Sequence, residues 1–196
     1  MACTLPVSDE AGGRRSRSSE SASMEGLEVT TKANLYSAVD EEITHYEVDV
    51  EAATLTRRGS IRVPSFVQYA WPHPSLRYLY VTSSNRGPGL KADCNHVTAL
   101  RIDPASGALA AHGDPVSLRQ RAVHMCLDPA GDYAVNIHNV PVPRITIHRI
   151  AADGRIAEQV PQLDGLDYGI YPHQVRVTPS GRSVIDVVRG NSAAHG

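Results

Sequence analysis

The stretch Tyr171-Pro-His-Gln-Val-Arg-Val-Thr-Pro-Ser-Gly-Arg182, closely followed by Val188-Arg-Gly-Asn191, decides the fold. Its Val-x-Val alternation sends successive side chains to opposite faces of a strand. The Pro-Ser-Gly that follows is turn chemistry, in which proline presets φ and glycine accepts a positive φ. A second strand-like run begins at Ser183. One strand–turn–strand unit is therefore written here.

Working outward, the unit recurs. Asp128-Pro-Ala-Gly-Asp-Tyr133 and His73-Pro-Ser-Leu-Arg-Tyr78 stand in the place of Thr178-Pro-Ser-Gly-Arg-Ser183, with Pro74, Pro129 and Pro179 spaced 55 and then 50 residues apart. An independent register agrees. Ile43-Thr-His-Tyr-Glu-Val-Asp-Val-Glu-Ala-Ala-Thr-Leu55 superposes without a gap on Val97-Thr-Ala-Leu-Arg-Ile-Asp-Pro-Ala-Ser-Gly-Ala-Leu109, 54 residues on, and Ile145-Thr-Ile-His-Arg-Ile150 follows 48 residues later. From Leu35 onward no apolar stripe has the helical period. Short runs such as Leu35–Val39, Ile43–Val48, Tyr78–Thr82 and Val97–Ile102 are separated instead by Gly, Pro, Asp and Ser.

Four short strands and their turns fill a period near 50 residues, which is the blade of a β-propeller. The expected fold is all-β, a partial β-propeller of about three four-stranded blades over residues 34–196. Inner strands are expected at Val123–Leu127 and His173–Val177, and second strands at Tyr133–Val135 and Ser183–Val187. A β-sandwich, the other all-β solution, leaves the regular self-similarity unexplained. Closed propellers use four to eight blades, so the chain reads as a shortened frame or as an arc completed by another chain, the former being the expectation.

Residues 1–33 differ from the rest. Ser, Gly, Arg and Glu dominate Ser8–Ser23, with almost nothing apolar to offset the entropy of ordering a backbone. They read as a disordered tail, with Met24 an equally good initiator. Elsewhere, 196 residues suit one domain with one core. A net charge of −2, with no basic block beyond Arg14, Arg15 and Arg17, argues against nucleic acid or an anionic membrane surface as the main partner. Cys3, Cys94 and Cys126 form no CxxC pair and read as free thiols. No apolar run approaches the roughly 18 residues of a membrane span, and the polar N-terminus has no secretory apolar region. A cytoplasmic protein without a cofactor is the expectation.

Two motifs carry a family resemblance. Val123-His-Met-Cys-Leu-Asp-Pro-Ala-Gly-Asp-Tyr-Ala-Val135 resembles the H-V-x-V-D-P-D-G-R-Y-x-x-V unit of the seven-bladed lactonase propellers. Pro172-His-Gln-Val-Arg-Val-Thr-Pro-Ser-Gly-Arg182 resembles their P-H-Q-V-x-x-S-P-D-G-R unit. That family contains 6-phosphogluconolactonases and the similar carboxymuconate cyclases, and the resemblance covers residues 34–196, about the first half of a member. It implies hydrolysis of a sugar lactone in the central channel. Two departures stand out. Tyr171 occupies a place where members often carry a second histidine, and Val188-Arg-Gly-Asn-Ser192 replaces their D-L-G-x-D. A cation thus stands where an acidic pair is usual, which suits a small anionic lactone or sugar acid.

A lactonase must activate water toward an ester carbonyl and stabilise the oxyanion that forms. A neutral imidazole suits the first task. Arginine suits the second, and also grips phosphate or carboxylate bidentately. His173, at the start of an inner strand, is the candidate base and Arg189 the candidate anion clamp. His124, Arg176, Gln174 and Asn191 are candidate substrate-binding residues; His124 aligns with Gln174, not His173, when the turns are superposed. The competing reading is an inner-strand histidine that merely hydrogen-bonds a neighbouring blade. His96, His112, His138 and His148 show no ligand spacing, so no metal is expected. The loop Arg86-Gly-Pro-Gly-Leu90 with Asp93-Cys-Asn95 is placed to rim the channel, and Cys126, alternating with Met125, reads as core. Besides lactone hydrolysis, a carboxymuconate-type lactonising cyclase and a non-catalytic binding propeller remain as alternatives.

Overall fold

The computed structural model describes residues 2–5, 32–86 and 93–190. Within them lie two four-stranded antiparallel sheets, one five-stranded sheet and one two-stranded sheet. Sheet I consists of β1 (Ala2–Leu5), β2 (Lys32–Val39), β3 (Glu42–Asp49) and β4 (Thr54–Arg62). Sheet II holds β5 (Val67–Pro72), β6 (Tyr78–Ser84), β7 (Asn95–Ile102) and β8 (Leu109–Ala111), with β9 (Val116–Ser117) also paired to β7. Sheet III is β10 (His124–Leu127), β11 (Tyr133–His138), β12 (Arg144–Ile150) and β13 (Ile156–Val160). β14 (Pro172–Val177) and β15 (Val184–Val188) form sheet IV. Each sheet is a meander, the arrangement expected of propeller blades.

The local chemistry of the repeat explains the turns. Between the first and second strands of sheets II, III and IV, the N–H groups of Leu76, Gly131 and Gly181 donate to the carbonyls of His73, Asp128 and Thr178 at 2.8, 3.0 and 2.9 Å. All three residues take a positive φ, of 57°, 82° and 69°. Sheet II therefore reaches with a leucine the conformation that glycine supplies in the other two. The turn between third and fourth strands is capped by an aspartate. Asp103 Oδ1 accepts the N–H groups of Ala105 and Ser106 (3.1 and 2.8 Å), and Asp49 Oδ1 accepts that of Ala52 (2.9 Å). The Ser106 bonds hold the Asp103 carboxyl below its ordinary value.

The sheets stack through three apolar clusters. Tyr36, Ile43, Leu79, Val81 and Leu100 fill the space between sheets I and II. Tyr80, Val97, Leu118, Met125 and Leu127 lie between II and III, and Val123, Cys126, Val135, Ile137 and Val175 between III and IV. β6 is covered on both faces, since Leu79 and Val81 face one neighbour and Tyr80 the other. Met125 and Cys126 likewise divide between two clusters, so Cys126 is core as expected.

A repeated pin joins consecutive sheets. Tyr36 Oη donates to the Gly107 carbonyl of the next sheet at 2.7 Å, and Tyr80 Oη to that of Gly154 at 2.8 Å. Neither glycine has room for a Cβ, which would run into the Asn34 side chain at Gly107 and the Tyr78 ring at Gly154.

The N-terminus departs from the expected disordered tail over 1–33. Ala2–Leu5 pairs antiparallel with β2, Ala2 opposite Ser37 and Leu5 opposite Asn34, and β2 begins at Lys32. β2 presents an edge of unpaired backbone groups on that side, and a short strand-forming run satisfies it. The serine-rich stretch between them lies outside the described residues, as do residues 87–92 of the Gly/Pro-rich loop.

Candidate active site at the start of the inner strands

β5, β10 and β14 are the first strands of three successive sheets, and β10 packs between the other two. Superposing their turns aligns Gln68 with Val123 and His173, Tyr69 with His124 and Gln174, and Trp71 with Cys126 and Arg176. β5 and β14 share a β-bulge at one place. Pairing to the second strand slips between Val67 and Tyr69 in sheet II and between Pro172 and Gln174 in sheet IV, so Gln68 and His173 are the extra residues. A bulge re-aims a side chain out of the ladder, and here the re-aimed residues are Gln68 and His173.

Side chains of the three strands meet one another along their length. The Arg176 guanidinium lies over the Trp71 ring, 4.3 Å from its centroid. Trp71 stacks with Tyr69 at 6.3 Å, and Tyr69 covers the His124 ring at 3.8 Å. His124 is only 4% exposed. Its Nδ1 accepts the Val175 N–H of the next sheet at 3.4 Å, which leaves the proton on Nε2, a buried atom without a partner. Burial, then the positive charge of Arg176, then His173, push His124 down to about 4. It is neutral near pH 7. The expected substrate-binding role of His124 meets a physical obstacle, because the enclosed ring has no open face. Its one hydrogen bond ties β10 to β14, the contact that the competing reading describes.

The other candidates are distributed as follows. His173, Gln174 and Arg176 are exposed on β14. The Arg189 side chain is also exposed, and its N–H donates to the Tyr171 carbonyl at 3.0 Å, closing the open end of the β14–β15 hairpin. Tyr171 holds a φ of 55°, a strained value for a tyrosine. Asn191 lies outside the described residues. Two further polar residues lie outside the candidate set. Arg121 donates through Nε to Gln68 Oε1 at 2.6 Å, and burial together with the charge of Arg86 lowers it. Asp186, opposite Val175, keeps both carboxylate oxygens buried and unpartnered, and burial pushes its carboxyl up. Position in the repeat could have flagged Gln68, Tyr69 and Trp71, the equivalents of His173, Gln174 and Arg176. Arg121 and Asp186 carry no local signal.

Chemically, the rim is cationic. It can hold an anionic small molecule, present a histidine to water and offer guanidinium donors to a developing negative charge. Among the described residues, no three His, Cys, Asp or Glu side chains gather at metal-ligating distance.

The chain belongs to the lactonase family of seven-bladed β-propellers, whose family model matches residues 29–191. The fold is shared with a periplasmic gluconolactonase from Pseudomonas aeruginosa, at 22% identity and a TM-score of 0.60, over 78% of this chain and 46% of that one. It is shared equally with a putative 6-phosphogluconolactonase from Bacteroides fragilis, at 17% identity and TM-score 0.62, over 81% and 45%. A third similar structure, a putative 6-phosphogluconolactonase from Bacteroides uniformis, has 16% identity and TM-score 0.63, over 81% and 44%. The chain thus spans less than half the length of the solved structures it matches. A search of curated proteins returned no match.

Proposed function

We propose that this chain contributes the His173 side of a lactonase site that hydrolyses an anionic sugar lactone of the 6-phosphogluconolactone class. The observations that carry the reading are the bulge that takes His173 out of the β14 ladder and, further along the same strand, the seating of Arg176 on Trp71. In this reading His173 takes a proton from water as its oxygen attacks the lactone carbonyl. The carbonyl π electrons move onto oxygen, and the oxyanion is stabilised by Arg176. Collapse of the tetrahedral intermediate breaks the ring C–O bond, and the His173 imidazolium returns the proton to the departing ring oxygen. Arg189 binds the substrate's phosphate or carboxylate. Neutral His124 holds β10 to β14 and keeps the site free of a further cation beside Arg176.

The test is acid release from δ-6-phosphogluconolactone, followed above its spontaneous rate. The purified protein should exceed that rate, and His173→Ala should return it to the background with an unchanged thermal midpoint. An equal rate for the two folded proteins would remove His173 from the mechanism. No excess rate at all would remove the lactonase reading.

A further inference from the structure

A second polar cavity lies away from the inner strands, and nothing in the channel reading uses it. Its volume is about 210 Å³, and Arg119, Gln120, His138, Arg144, Thr146 and Gln159 line it. The segment leading into β10 supplies Arg119 and Gln120, the end of β11 supplies His138, and the outer strands β12 and β13 supply the rest. Sheet III is therefore the floor of the cavity, and β14 contributes no residue to its lining.

The cavity is built, and its charge is uncompensated. His138 is buried, with Nδ1 against the carbonyls of Gln120 and Arg121 (3.2 and 3.0 Å) and Nε2 against Thr146 Oγ1 (2.9 Å). Carbonyls only accept, so Nδ1 carries the proton and Nε2 takes the Thr146 hydroxyl bond. Gln120 Nε2 donates to the Val142 carbonyl at 2.5 Å. The wall is thus held by bonds that leave both guanidinium groups unused. Arg144 Nε is buried without a hydrogen-bond partner, and among the described residues neither Arg119 nor Arg144 pairs with a carboxylate. No acidic side chain lines the cavity. A buried guanidinium donor without an acceptor is costly, and an oxyanion satisfies it in the bidentate geometry arginine favours.

An adjoining hollow of about 290 Å³ shares Arg144, Thr146 and Gln159 and adds Gln162, Asp164 and Tyr168. These three groups are hydrogen-bond partners for hydroxyls, and Asp164 would repel a second anionic group. We infer that the cavity binds a small phosphorylated or carboxylated polyol. Its oxyanion sits between Arg119 and Arg144, and its hydroxyl-bearing remainder sits in the adjoining hollow.

Backbone amide NMR on the purified chain, titrated with inorganic phosphate, gluconate and 6-phosphogluconate, tests this site separately from the channel. An anion on Arg144 should shift the amides of Arg144, Thr146 and Gln159, and Arg176→Gln should leave those shifts intact. Arg144→Gln should weaken binding about 10- to 100-fold, the loss of a charge-assisted bidentate pair of roughly 1.5–3 kcal/mol. Arg119→Gln, at an exposed loop position, should weaken it as well. 6-Phosphogluconate should bind no more tightly than inorganic phosphate, because seating either charged end between the arginines brings the other toward Asp164. Shifts confined to His173, Arg176 and Arg189, or full affinity in folded Arg144→Gln and Arg119→Gln proteins, would overturn the proposal.

Discussion

β5 and β14 are copies of one strand used in two ways. Both start with a bulge at one position, followed by a turn with the same positive φ. In β5 the bulged residue is a strut. Gln68 donates to the Phe66 and Ser84 carbonyls at 3.0 and 3.4 Å and receives Arg121 at 2.6 Å, while Tyr69 and Trp71 pack against the next sheet. In β14 the equivalents His173, Gln174 and Arg176 are exposed. One backbone device thus carries a tied-down side chain in β5 and an exposed one in β14.

The largest effect that would sharpen this contrast is catalytic. His173→Ala should lower lactone hydrolysis by about 10²- to 10⁴-fold, the usual worth of a general base, with no change in unfolding free energy. Next comes Trp71→Ala, which removes the surface that carries Arg176 and covers His124. It should cost roughly 2–4 kcal/mol in urea unfolding, a Trp truncation discounted for partial exposure, and it should also weaken binding of the anionic substrate. A Trp71→Ala protein of unchanged stability would break the view of β5 as scaffold.

The third effect is on pH. His124 falls to about 4 from its ordinary 6.5, so between these values the unfolded chain binds the proton and the folded one does not. Its contribution is fully present above about pH 6.5 and is lost as pH falls toward 4, on the order of 3 kcal/mol. His138, also pushed down to about 4 by burial, acts in the same sense, and buried Asp186, pushed up, acts in the opposite one. Unfolding free energies from pH 7.5 to 4.5 should therefore fall less steeply in His124→Gln, which cannot titrate, than in the parent. Parallel curves would remove His124 from the titration. Gln68→Ala should cost about 1–2 kcal/mol by leaving the Arg121 donor unpaired, with no effect on turnover beyond that loss.

The smallest effect tests the repeat itself. Ala53 occupies the place of Gly107 and shares its positive φ, 51° against 71°, while remaining exposed. Ala53→Gly should raise stability by up to about 1 kcal/mol by relieving left-handed strain, read as a higher urea midpoint.

Much of the fold was legible. The expected strands Leu35–Val39, Ile43–Val48, Tyr78–Thr82 and Val97–Ile102 fall within β2, β3, β6 and β7, because alternation and turn residues act between near neighbours. β1 was not legible. Its pairing depends on β2, which lies beyond a long polar stretch, and four residues carry too little pattern to announce a strand. The site was half legible. His173 broke the repeat visibly, but nothing local marks Trp71 as the seat of Arg176, more than a hundred residues away.

The stretch Tyr171–Arg182 thus determined by itself the strand, the turn and the period of the arc, since each rests on φ preferences and face alternation within a few residues. Only the tertiary structure decided what its polar residues do. Stacking of sheets sealed His124 under Tyr69 and left His173 open, and it set Arg119 beside Arg144 in a cavity without a carboxylate. Those outcomes depend on which side chains neighbouring sheets bring together, and burial and charge pairing arise only at that distance in the chain.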